Sequence, residues 1–130
     1  MPRDEALKAL ERARKQCDRV NEASWDPQEP ELAVTWAFYA YENGITAVAE
    51  ALMIPWQKTH PSKVALARKL FQDKVLLVDI ADLLQSLNDL RKDVQYGDPG
   101  RDLSEVDLED LATQLEVFLD EVERIVSPSK

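Results

Sequence analysis

Residues 77–95 carry two rows of side chains whose types and spacing suggest chemistry. Leu77, Ile80, Leu84, Leu87, Arg91 and Val94 recur at intervals of three and four, one face of a helix, and Arg91 is the single charged member. An arginine does not neutralise itself, so a core-facing position demands an acceptor or a water-filled groove. Two readings of Arg91 stand side by side. It bonds the last carbonyls of its helix or an acid on the final helix, or it reaches from a groove toward a phosphate or a partner. The second row is Asp79, Asp82, Ser86, Asp89 and Asp93. Like charges at this spacing destabilise an isolated helix by roughly a few tenths of a kcal/mol each. They are solvated, or they face basic side chains of a neighbouring helix, or they gather a magnesium ion as in all-α nucleotide pyrophosphatases. The paired Glu-x-x-Glu stretch of those enzymes is missing, so no metal site is predicted on Asp79, Asp82, Asp89 and Asp93.

His60 is the only histidine. This excludes a ferritin-like pair of Glu-x-x-His motifs and a zinc site of several His or Cys ligands. Between Thr59 and Pro61 it is expected to cap a short helix or to pack in the loop, with a pocket-lining role as the alternative. Cys17 lies on an apolar stripe without a histidine nearby in sequence and reads as an inert buried thiol. Trp36, with Phe38, Tyr39 and Tyr41, has no interleaved basic residues and reads as core, not as a base-stacking platform. No cofactor is implied.

Five helical segments position these residues, and no segment reads as a strand. The first, about 3–22, has Leu7, Leu10, Ala13, Cys17 and Val20 on one stripe. The second begins within "SWDPQEPE", where Asp26 or Glu29 precedes a proline suited to a first helical position, and ends before Pro55. It is apolar nearly all round and therefore central. Its row Ala33, Ala37, Ala40, Gly44, Ala47 and Ala51 allows a close helix neighbour. A short helix follows at about 62–73, then the helix of Arg91 at about 77–95, broken by Gly97-Asp98-Pro99-Gly100. The last, about 104–126, opens on Ser104 and Asp107 and carries the seam Leu108, Leu111, Leu115, Phe118, Val122 and Ile125. The prediction is a single all-α domain over 1–130, an antiparallel four-helix bundle with an additional short helix.

Composition narrows the functional classes. At 130 residues with three glycines and seven prolines, the chain is long enough for one buried core. The net charge of −9 is uneven: residues 98–130 hold ten acids against three bases, whereas residues 58–74 hold five bases against Asp73. The average field repels nucleic acid and disfavours DNA binding, and RNA or nucleotide binding gains no support from it. The longest apolar-rich run includes Glu42, Asn43 and Glu50 and is too polar for a membrane span. With one cysteine and a charged, amphipathic beginning, the expected compartment is the reducing cytoplasm.

Three stretches resemble the HEPN superfamily, small all-α domains of prokaryotic toxin–antitoxin and defence systems. "WAFYAYENGITAVAEALMIPW" is similar to its alanine- and aromatic-rich second helix, "KTHPSKVALARKLF" to its Thr-His and short helix, and "LNDLRKDVQYG" to its arginine-bearing helix end. With the acidic last helix they span about residues 32–125. The resemblance implies an HEPN-like bundle. In active members an arginine, a polar neighbour often asparagine, and a histidine four to six residues beyond the arginine cleave RNA, in sites generally composed across a dimer. Arg91 matches the arginine, Lys92 stands in place of the asparagine, and the histidine window holds Tyr96, Gly97 and Asp98. A tyrosine is a poor general base at neutral pH, and loss of such a base typically costs on the order of 10²–10⁴ in rate.

The functional expectation is a non-catalytic, HEPN-like interaction module. It homodimerises through an interface including Leu87, Arg91, Lys92, Val94 and Tyr96, with His60 as a further binding candidate. Its other partner is a protein, such as the nucleotidyltransferases beside which some relatives stand, or a nucleotide. The alternatives are a weak metal-independent endoribonuclease using Arg91 and Tyr96, with His60 supplied from elsewhere in the fold, and a magnesium-dependent nucleotide hydrolase on the aspartate row.

Overall fold

The computed structural model describes residues 2–25, 30–95 and 107–127. They form five helices, α1 (Pro2–Trp25), α2 (Pro30–Ala51), α3 (His60–Gln72), α4 (Ala81–Gln95) and α5 (Leu108–Val126). Among the described residues there is no strand, and no helix is long and apolar enough to cross a membrane.

The hydrophobic pattern explains which helix is central. Ala33, Val34, Ala37, Phe38, Ala40, Tyr41, Ile45, Ala47 and Val48 are all buried, so α2 faces neighbours on most of its circumference. It packs against each of the other four helices. Gly44 marks its closest approach to α5: a Cβ there would sit 2.4 Å from Phe118 Cε2 and 3.3 Å from Leu119 Cδ2. Phe118 fills that space and packs on Tyr41 at a ring separation of 5.0 Å. The small-residue row thus seats an aromatic from α5 at this point.

Polar contacts fix the registers. Arg14 of α1 donates to Asp120 Oδ1 at 2.9 Å, and Asn21, two turns later, donates to Glu116 Oε1 at 3.0 Å. The α1 numbering rises as that of α5 falls, so these two helices run antiparallel. Asn43 of α2 donates to Gln16 Oε1 of α1 at 2.8 Å. The α1 stripe is buried at Leu10, Ala13, Cys17 and Val20, but Leu7 is exposed; Ala6 and Ala9 take the interior positions in the first turns.

Helix ends differ from the sequence expectation where backbone conformation, invisible in the periodicity, intervenes. Met53 and Lys74 adopt left-handed φ of 58° and 63°. Each follows a helix as a C-terminal cap usually given to glycine. Ile54 N–H then returns to Ala49 O at 2.8 Å and Val75 N–H to Leu70 O at 2.9 Å, closing α2 and α3. After α3 the chain stays non-helical to Ile80, so α4 begins at Ala81 and not at 77. Leu77 is consequently 76% exposed and does not belong to the buried row, which begins at Ile80. Its backbone N–H donates to Glu121 Oε1 at 2.5 Å, tying this linker to α5. At α5, Asp107 is the cap, accepting from Asp110 N at 3.0 Å; Ser104 lies outside the described residues.

Candidate functional site

Ile80, just before α4, and Leu84, Leu87 and Arg91 of α4 form a buried row, and α4 packs on α2. Arg91 is 7% exposed, so the sequence reading of a charge in the interior holds at this residue. Its Nη2 donates to Asn88 Oδ1 at 2.8 Å, one turn back on the same helix. Its guanidinium carbon stands 4.9 Å from the Phe38 ring centroid and 5.9 Å from that of Tyr39, both on α2. A planar, weakly hydrated guanidinium suits such faces, and a desolvated cation–π contact is worth roughly 2 kcal/mol. Asn88 and the rings of Phe38 and Tyr39 are thus among the groups that hold the buried Arg91 guanidinium.

The other side of this cluster is His60. It opens α3, and Thr59, not His60, is the N-cap residue. The imidazole packs edge-on against Phe38 at 5.0 Å, the same ring that Arg91 covers. Its Nδ1 lies 2.5 Å from Glu42 Oε2, a carboxylate only 4% exposed on the inner face of α2. Lys63, one turn into α3, approaches the other oxygen of Glu42 at 3.9 Å and lies over the Trp56 ring at 5.5 Å. Trp56 Nε1 in turn donates to Glu50 Oε1 at 2.8 Å. A buried carboxylate requires such partners, and here they dock α3 onto α2.

Chemically the cluster holds one half of an acid–base site. A carboxylate on one ring nitrogen is the contact that fixes an imidazole's orientation and tautomer. The Phe38 ring contacts both that imidazole and the guanidinium of Arg91. Neither Glu42 nor Asn88 figures among the residues predicted from sequence. Glu42 had a signal: it is a carboxylate in an otherwise apolar, central helix. Asn88 had one too, three residues before Arg91 and on its side of the helix.

No protein-family model and no curated protein matches this chain.

The remaining predicted residues separate. Leu87 is 3% exposed inside the chain's own core, while Lys92 is exposed. The Val94 and Asp93 side chains and all of Tyr96 lie outside the described residues. Leu87 and Arg91 are both covered by packing within the chain. The aspartate row also divides. Asp79 precedes α4 and accepts from Ala81 N at 3.1 Å, Asp82 accepts from Arg68 of α3 at 3.1 Å, and Asp89 accepts from Gln85 at 3.1 Å. Among the described residues no group of three or more His, Cys, Asp or Glu side chains is placed to hold a metal ion. Cys17 is buried, and burial pushes its thiol up to about 11, away from nucleophile chemistry.

Proposed function

We propose that this chain is a non-catalytic, HEPN-like helical-bundle module of the cytoplasm. It works by association, in a homodimer and with a protein or nucleotide partner, in a toxin–antitoxin or defence setting. One observation carries the reading. Arg91, the residue that resembles the catalytic arginine, is buried and engaged by Asn88 and by the faces of Phe38 and Tyr39. A guanidinium so held supports packing, whereas stabilising a cleaved phosphate requires it to face the substrate. The association surface then consists of exposed positions, Lys92 among them. The direct test incubates the purified chain with single-stranded RNA in the absence of metal, alongside light scattering of the same sample. Intact RNA and a mass near twice 14.8 kDa are expected.

The ribonuclease reading keeps one point in its favour, since Phe38 brings His60 and Arg91 to a single ring. Under that reading RNA is cut, and His60→Ala and Arg91→Ala each abolish the cut. Cleavage with that dependence would displace the non-catalytic proposal.

A further inference from the structure

Away from the Arg91 cluster, a groove of about 550 Å³ runs along α3, lined by Pro55, Trp56, Gln57, Ser62, Leu66 and Lys69 among others. That volume, with mostly apolar walls and a few polar groups, is characteristic of a small-molecule site. Trp56 enters the groove already oriented. Its Nε1 donates to Glu50 Oε1 at 2.8 Å, and Lys63, itself 3.9 Å from Glu42, stands 5.5 Å from the ring centroid. Neither Glu50 nor Lys63 lines the groove. The indole N–H is thus committed within the fold, and Trp56 gives the groove apolar ring surface. A ring held in this way needs little further ordering when a ligand stacks on it.

The polar groups of the groove present donors. Gln57 Oε1 is an acceptor only, and it takes a bond from Ser62 Oγ at 3.3 Å. Ser62 Oγ in turn accepts from Thr59 Oγ1 at 2.6 Å. This chain commits both hydroxyl protons and leaves the Gln57 amide –NH2 to donate. Lys69 adds an exposed ammonium that makes no ion pair among the described residues, whereas Lys63 and Arg68 of the same helix are paired with Glu42 and Asp82. The matching ligand is a flat ring with an anionic, acceptor-bearing group. A chain of net charge −9 repels multiply charged anions, so a single lysine suits a single negative charge. We propose that the α3 groove binds a planar aromatic monocarboxylate, its ring against Trp56 and its carboxylate on Lys69 and Gln57. The site is separate from the Arg91 cluster and does not depend on the association reading.

The test titrates naphthalene carboxylate into the full chain and follows it by two-dimensional amide NMR. The Trp56 indole signal is identified by its loss in Trp56→Phe. That signal and the Leu66 and Lys69 amides should shift together and saturate, with a Kd on the order of 0.1–1 mM for a ligand of this size. Naphthalene carboxamide keeps the ring without the charge, and cyclohexane carboxylate keeps the charge without the ring. Each should bind at least about fivefold more weakly. Lys69→Gln should bring the carboxylate down to the affinity of the carboxamide, leaving the latter unchanged, with helical circular dichroism retained. Trp56→Leu should weaken both naphthyl probes. Shifts that do not saturate, or that gather outside the groove, would overturn the site. Equal binding of carboxylate and carboxamide by the wild-type chain would overturn the assignment of an anionic ligand.

Discussion

Gly44→Ala separates helix propensity from packing with opposite signs. In an isolated helix the change is favourable by about 0.8–1.0 kcal/mol. Here the new methyl would stand 2.4 Å from Phe118 Cε2, a distance that real contacts do not keep, and a tight 3.0 Å from Cζ. Phe118 is 1% exposed and packed on Tyr41, so its ring has no open space to move into. Overpacking of this kind costs roughly 1–3 kcal/mol, and a ring clash in a filled core belongs at the upper end. The net is a loss of about 1–2 kcal/mol, or a Tm lower by roughly 4–8 °C for a chain of this size. Thermal and urea unfolding of wild type, Gly44→Ala, Phe118→Leu and the double variant complete a cycle. Shrinking Phe118 relieves the clash, so the double variant should be more stable than the sum of the singles by about 1 kcal/mol or more. A raised Tm in Gly44→Ala, or coupling within about 0.5 kcal/mol of zero, would refute the close α2–α5 approach.

Arg91→Ala should destabilise the chain by roughly 2–4 kcal/mol, since it strands the Asn88 amide oxygen and removes a desolvated cation–π contact. An unfolding midpoint unchanged within error would show that Arg91 is not a packing residue. The Cys17 thiol, pushed up to about 11 by burial, should react with a disulfide reagent at pH 8 on the order of 10²-fold more slowly than in the urea-unfolded chain. The same shift predicts alkaline destabilisation. The folded thiol keeps its proton above the ordinary cysteine range while the unfolded one loses it, so stability falls as pH rises from about 9 to about 11. Burial pushes the Tyr41 phenol up as well and adds to the fall in the same direction. Cys17→Ala should flatten part of this slope, and an unchanged slope would exclude Cys17 as its source.

Periodicity by itself determined that the chain is helical, that α2 is central and that Leu108, Leu111, Leu115, Phe118 and Val122 of α5 face the interior. Burial of a stripe is the dominant force on a helix, and it writes a period of 3.6 into the residue order. It likewise placed Arg91 in the interior. What periodicity lacks is the third dimension. Helix starts at Ala81 and Leu108 follow from local caps and left-handed residues, and these moved Leu77 and Asp79 off the rows to which spacing assigned them. Only packing decided the partners of Arg91: Phe38 lies more than fifty residues away in sequence, yet its ring meets both the guanidinium and His60. Glu42 acquired its role in the same way, since a carboxylate in an apolar helix is tolerable only where a separate element delivers His60 and Lys63 to it. Spacing records which side chains share a helix face, whereas cancellation of a buried charge depends on which faces meet.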